Sequence, residues 1–195
     1  MPQGAKTLLR HAANRLTAIA ARLNARARSG SAAIEFALVA PVFFVFLMGT
    51  IETGIIFLSN FVLQSATNDA ARQIRTGQVA LGGITQAAFR QTICNEISPL
   101  MACDSNLQID VETVATFNQA AITNPITASN TLDPSLVNWQ PGAVCSVVLV
   151  RAFYTYSVAT PFLTPFLVNI NSTQHLLTAA VAFRNEPYTT AVAGC

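Results

Sequence analysis

Three residues near the start of the chain have the types and spacing to act together. Gly30 closes a segment that holds six of the eleven Lys and Arg and no acid, Ser31 follows it, and Glu35 is a lone carboxylate five residues on, at the head of an apolar run. A carboxylate placed in hydrocarbon costs on the order of 3 kcal/mol. Glu35 therefore either meets a cation or lies at headgroup level, where it complements the positive end of a helix dipole. Glu52 is the only other charge between Ala32 and Leu63. On a helix it would lie ~25 Å from Glu35 and ~100° off the same face, so the two carboxylates cannot work together in one subunit. Glu52 is expected near the outer edge of the membrane or against a neighbouring helix.

Elsewhere the groups that catalyse reactions are sparse. His175 is the one histidine outside the basic leader, and it falls in a predicted strand, where a packing role outweighs that of a base. No GxSxG, HExxH or phosphate-cradling loop accompanies it. Asp104, Asp110, Glu112, Asp133 and Glu186 are scattered and form no paired constellation, so neither an enzyme nor a cofactor is expected. Cys94, Cys103, Cys145 and Cys195 show no CxxC and no zinc spacing, which leaves two structural bridges as the plain reading and no metal.

The elements that position these groups begin with the apolar run. From Ala32 to Leu63 it is ~48 Å long if helical, against a hydrocarbon core of ~30 Å, so it spans a bilayer and projects beyond it. Pro41 invites a kink. The pairs Gly49 with Thr53 and Thr50 with Gly54 would let another helix approach closely. Residues 5–28 read as a basic amphipathic helix whose nearest polyanion is a membrane surface rather than nucleic acid. Residues 1–30 carry six bases and no acid whereas 31–195 carry five bases against nine acids, 5 − 9 = −4. Cations before the span hold that end in the cytoplasm and place the rest outside the inner membrane, where disulfides persist. An ordinary secretory signal is rejected: the apolar run is too long, and a cut after Ala66 would have Gln64 at minus three.

Beyond the span, Leu58, Val62, Ala66, Ala70 and Ile74 give the helix an apolar face opposite Asn60, Gln64, Asn68 and Arg72, and Gly77 ends it. Residues 78–84 read as a loop, Thr85 caps a helix that runs to Ile97, and Leu107–Phe117 alternates as a strand. Residues 118–142 form a long loop with Trp139 near its end, either a partner-binding anchor or an aromatic that pins the loop to the core. Ala143–Val158 and Thr173–Arg184 read as two more strands. Between them, TPFLTPFLVNINS is an apolar linker that dips towards lipid or a partner, or else closes the core. The fold class is α+β: a long N-terminal transmembrane helix, then a small pilin-like domain with a short helix packed on an antiparallel sheet of about three strands. The divisions are 1–30, 31–77 and 78–195. Of the three pairings open to four cysteines, Cys94–Cys103 would close the helix-to-strand connection. If the last two strands are antiparallel neighbours, Cys195 reaches Cys145.

The glycine, the basic segment before it and the glutamate after it have the layout of a type IV prepilin. The stretch also resembles the signature segment of the TadE-like proteins of the tight-adherence (Flp pilus) machinery at Ala33, Glu35, Phe36, Ala37, Leu38, Val39, Pro41, Gly49, Glu52, Gly54, Leu63, Ala66, Ala70, Ala71 and Arg72. Phe36 stands where processed members usually carry tyrosine. Thr160–Pro165 and Arg184–Tyr188 resemble the distal part of such sequences more loosely. The resemblance implies a minor pseudopilin in the inner membrane that a prepilin peptidase cuts between Gly30 and Ser31. The freed Ser31 amine, with a pKa of ~8, would then be the cation that Glu35 needs. It further implies other Tad subunits and pilins as partners, and a part in Flp-type pilus assembly for adhesion and biofilm formation. A TadF-type pseudopilin and an unprocessed single-pass anchor are the alternatives.

Overall fold

A computed structural model of the chain describes residues 3–120, 124–189 and 195, with side chains from Ser31 onward. Helix α1 runs from Gln3 to Arg75 with Pro41 inside it. The amphipathic pattern of residues 5–28 concerns side chains outside the described residues. The chain divides into two compact units, Met1–Met48 and Gly49–Cys195. Within α1, Ser31–Arg75 is long and apolar enough to cross a membrane, compatible with a single-pass anchor.

In the second unit α1 buries Glu52, Ile56, Ser59, Leu63, Ala66, Ala70 and Ile74. These positions advance by threes and fours, which holds one face of a 3.6-residue helix. The every-fourth series expected from the sequence turns by ~40° at each step. Its first member, Leu58, is accordingly exposed, while Ala66, Ala70 and Ile74 stay in the core.

The expected sheet is present: β1 (Leu107–Val114), β2 (Val147–Ser157) and β3 (Gln174–Arg184) form an antiparallel sheet with β2 in the middle. Leu107 pairs with Tyr154 and Val114 with Val147; Val147 pairs with Arg184 and Ser157 with Gln174. Period-two alternation sends Ile109, Val111, Val148, Val150, Ala152, Leu177 and Ala179 into one core with α1. Helix α3 (Gln86–Ile97) adds Phe89, Ile93 and Ile97 to that core, its start capped by Thr85 Oγ1, which accepts from Ala88 N. A second, smaller cluster joins Phe153, Ile170 and Leu176 to Leu136 of the long loop. The β3 backbone is further engaged by Gln64 of α1, whose amide donates to the Ala180 carbonyl and accepts from the Ala180 N–H, both at 3.3 Å.

Some boundaries differ from expectation. Gln78–Gly82 is a short helix, α2, rather than a loop, because Val79 of the stretch is buried in the core. The first strand stops at Val114, where Val147 closes the β1–β2 ladder, and Phe117 begins a 3-10 turn. Strand β2 starts at Val147 rather than Ala143, after a tight connection in which Ser146 N donates to the Ala143 carbonyl. The apolar linker folds into a 3-10 turn, Pro161–Leu163, and a short helix, α4, Thr164–Leu167.

Gly77 ends α1 in the left-handed region at φ 77, its N–H donating to the Ile74 carbonyl. The C-terminal stretch closes over this end. Glu186 N donates to the Arg75 carbonyl at 2.9 Å, the Glu186 carboxylate meets Arg75 Nε at 3.1 Å, and the Tyr188 ring fills the space a Cβ on residue 77 would need. Gly77→Ala should therefore destabilise the domain by about 2 kcal/mol or more, through both the positive φ and the ring. Urea denaturation checks this: adding Tyr188→Ala should restore the part due to the ring and leave the part due to φ.

Candidate processing segment and buried carboxylates

Gly30, Ser31 and Glu35 all lie within α1. One helical turn brings the last two together, with Ser31 Oγ donating to Glu35 Oε1 at 3.0 Å in an exposed setting. A positive charge on the Ser31 nitrogen would thus arise one turn from a carboxylate.

Among the described residues the hydrogen-bonded set around Glu52 holds no cation. Glu52 is 5% exposed, and three donors from the far end of the sheet converge on it. Tyr156 Oη and Ala159 N donate to Oε1 at 3.1 and 3.0 Å, and Thr160 Oγ1 donates to Oε2 at 3.0 Å. In place of a neighbouring helix, Glu52 has partners within its own chain: the carboxylate ties α1 to the end of β2 and the start of the apolar linker. The linker is held a second time by His175, whose Nδ1 donates to the Leu167 carbonyl. Gly49 faces Leu163 of the same linker, whereas Gly54 faces open space, so the first small pair has an occupant within the chain.

Two of the carboxylates that looked scattered are in fact together. Asp110 and Glu112 share one face of β1, and Arg151 sits opposite Asp110 on β2. Arg151 Nε and Nη2 donate to Asp110 Oδ2 at 2.9 and 2.6 Å, and Nη2 lies 3.1 Å from Glu112 Oε1. Asn138 completes the set, its N and Nδ2 donating to Asp110 Oδ1 at 3.0 and 2.9 Å and Nδ2 also to Glu112 Oε1 at 3.0 Å. Asp110 and Arg151 are fully buried. The signal for this site lay in the sequence as an i, i+2 acid pair in one strand and a lone arginine in another that is otherwise uncharged. The neighbouring Trp139 packs on Phe89 with ring centroids 5.2 Å apart, so it pins the loop to the core.

The cysteines are joined as Cys94–Cys103 and Cys145–Cys195, with Cα separations of 5.3 and 5.4 Å. Among the described residues no group of three His, Cys, Asp or Glu is arranged to hold a metal ion.

The segment that carries Gly30, Ser31, Glu35 and Glu52 is the one that matches a known family. Residues 30–72 match the TadE-like protein family. No curated protein and no solved structure matches the chain. The TadE-like segment opens at Gly30 and ends just before α1 does; it is consistent with a TadE-like protein of the Tad pilus system, and so with association with other components of that system. Thr160–Pro165 and Arg184–Tyr188 lie beyond the match.

Within the TadE-like segment Glu52 offers a direct test. Glu52→Ala leaves three donors without an acceptor and should cost about 2–3 kcal/mol. Glu52→Gln keeps Oε1, which serves Tyr156 and Ala159, and should cost less; chemical denaturation in detergent ranks the two. A second test uses pH. Burial first, and then the hydrogen bond and charge of Glu52, push the Tyr156 phenol up to about 12 from 10.0. Between those values the unfolded chain sheds a proton that the folded chain keeps, so this contribution is complete below pH 10.0 and is lost as the pH rises towards 12. Tyr156→Phe should flatten the fall in stability across that window and remove the latest phase of the phenolate absorbance titration.

Proposed function

We propose that this chain is a TadE-type minor pseudopilin, cut after Gly30 by a prepilin peptidase, that takes part in assembling an Flp-type pilus for adhesion and biofilm formation. The observation that carries this reading is the start of the TadE-like match at Gly30 itself, at the junction between a basic, acid-free segment and the apolar helix. Cutting there makes Ser31 the first residue and Glu35 the fifth. The new ammonium would lie one turn from Glu35 and neutralise its charge, either within the subunit or between neighbouring ones as the helices bundle. The basic segment stays in the cytoplasm, and the domain from Gly49 onward occupies the periplasm or the pilus.

The role is structural rather than enzymatic. Asp110 and Glu112, the carboxylates brought together in the domain, are both occupied by Arg151 and Asn138. The processing claim is tested by intact mass and N-terminal sequencing of protein extracted from membranes with and without the peptidase. Peptidase-dependent appearance of Ser31 as the N-terminus is expected, and Gly30→Leu should abolish it. Retention of Met1–Gly30 with active peptidase would instead make the chain an unprocessed single-pass anchor.

A further inference from the structure

The apolar linker between β2 and β3 presents two large side chains that the fold leaves uncovered. Phe162 is 76% exposed and Phe166 83%. They lie four residues apart on consecutive turns of the Pro161–Leu163 and Thr164–Leu167 helical stretch, whose two leucines point elsewhere, Leu163 to Gly49 and Leu167 to the core. Between Arg151 and Arg184 the sequence contains no Asp, Glu, Lys or Arg. The segment thus combines exposed aromatic rings with no formal charge, the composition of a surface that enters an apolar phase by hydrophobicity alone.

Its attachment fixes where along the chain that surface lies. Leu163 seats on Gly49, and Ala159 and Thr160 are bonded to the Glu52 carboxylate. Residues 31–51 make 21 residues, with Glu35 their only charge. About 20 apolar residues cross a hydrocarbon core, so the linker is tied to the helix where such a crossing ends. The opposite end of the sheet, where β1 passes into the Phe117–Gln119 turn, lies away from this attachment: Leu107 pairs with Tyr154, three residues from the end of β2, and Val114 with Val147, at its beginning.

We infer that Pro161–Leu167 is a membrane foot: Phe162 and Phe166 insert into the interfacial layer of the lipid leaflet from which α1 emerges, and Glu52 holds the foot at that depth. The occupant of this surface is the bilayer, argued from its continuity with the apolar helix. The inference rests on the reading of α1 as a membrane anchor. Burying both rings by ~5–10 Å into the interface would hold the domain, and the part of α1 packed in it, against the membrane surface.

The test uses the full chain reconstituted in vesicles of phosphatidylethanolamine and phosphatidylglycerol, in a Trp139→Phe background. Phe162→Trp and Phe166→Trp report on the foot, Phe46→Trp on the span, and Phe117→Trp on the far end of the sheet. Should the background fail to fold, the same substitutions are made in the parent chain and its Trp139 emission is subtracted. Lipids with a quencher high on the acyl chain should lower emission from Phe162→Trp and Phe166→Trp about twofold, with a blue shift that high salt does not reverse, and leave Phe117→Trp unchanged. Quenching of Phe46→Trp without quenching of the foot positions would overturn the inference and leave the anchor standing. An unquenched Phe46→Trp would overturn the anchor and the foot with it. Quenching at Phe117→Trp, or loss of the foot signal in high salt, would equally overturn a specific hydrophobic foot.

Discussion

A single carboxylate governs how the domain is hung on its helix. Glu52 lies in an otherwise apolar stretch, where an unpaired acid is unfavourable, and the chain meets that cost with three donors drawn from residues more than a hundred positions away. Because a buried acceptor demands its partners in a fixed geometry, the end of β2 and the start of the linker have only one place to be. Tyr156 pairs with His175 across the sheet, and His175 in turn holds the Leu167 carbonyl. The linker is therefore fixed at both ends by polar contacts, although it carries no charged side chain of its own.

The other face of the sheet follows the same logic with a different pair. Removing one partner from the Asp110–Arg151 bridge would leave a buried charge, a loss of about 3–5 kcal/mol, whereas replacing both by apolar residues could be neutral. What the ions contribute beyond a packed hydrophobic pair is direction. Asp110 Oδ1 accepts from both nitrogens of Asn138, and Val111 exchanges backbone hydrogen bonds with Asn138 and Gln140. Residues 138–140 are thereby laid along the edge of β1 in one register, with Trp139 placed on Phe89. The end of this loop is held by a polar bracket as well as by the packing of Trp139 and Leu136.

How far this was legible depends on how local the cause is. Helix α3 was readable because Thr85 marks its start within one turn of itself, and β1 because its alternation is a property of adjacent residues. The bonding of Cys145 to Cys195 could be anticipated once β2 and β3 were taken as antiparallel neighbours, since pairing alone brings the two chain segments together. The partners of Glu52 were not readable, since nothing near position 52 indicates Tyr156 or Ala159, and a main-chain N–H leaves no mark in a sequence. Leu58 was misplaced for a simpler reason: a spacing of four is not the helix repeat, and the error accumulates over sixteen residues. Asp110 and Glu112 went unpaired because their arginine comes from a different strand, and register between strands is fixed by the whole sheet.

The clamps and the disulfides also make sense of each other. A sheet of three strands buries one face well and the other only partly, so this domain has little hydrophobic surplus to hold its connections. In the chain-entropy account a bridge closing 9 residues is worth about 2.5 kcal/mol, and one closing 50 about 4 kcal/mol. The larger contribution falls on Cys145–Cys195, which joins the entry to β2 to the segment that leaves β3. Asn185 acts in the same place, its Nδ2 donating to the carbonyls of Pro141 and Ala143 at 3.0 and 2.9 Å. Next to it Glu186 and Tyr188 close over the end of α1 at Arg75 and Gly77. The outer part of α1 is thus held at Glu52 by one end of the sheet and at Gly77 by the chain that leaves the other. Between those two points its core face of small residues, Ala66, Ala70 and Ala71, lets sheet and helix approach closely. Phe57 and Phe61, both exposed, remain on the side of α1 that the domain does not cover. A helix fastened in this way can offer that uncovered side to another helix without loosening its own domain.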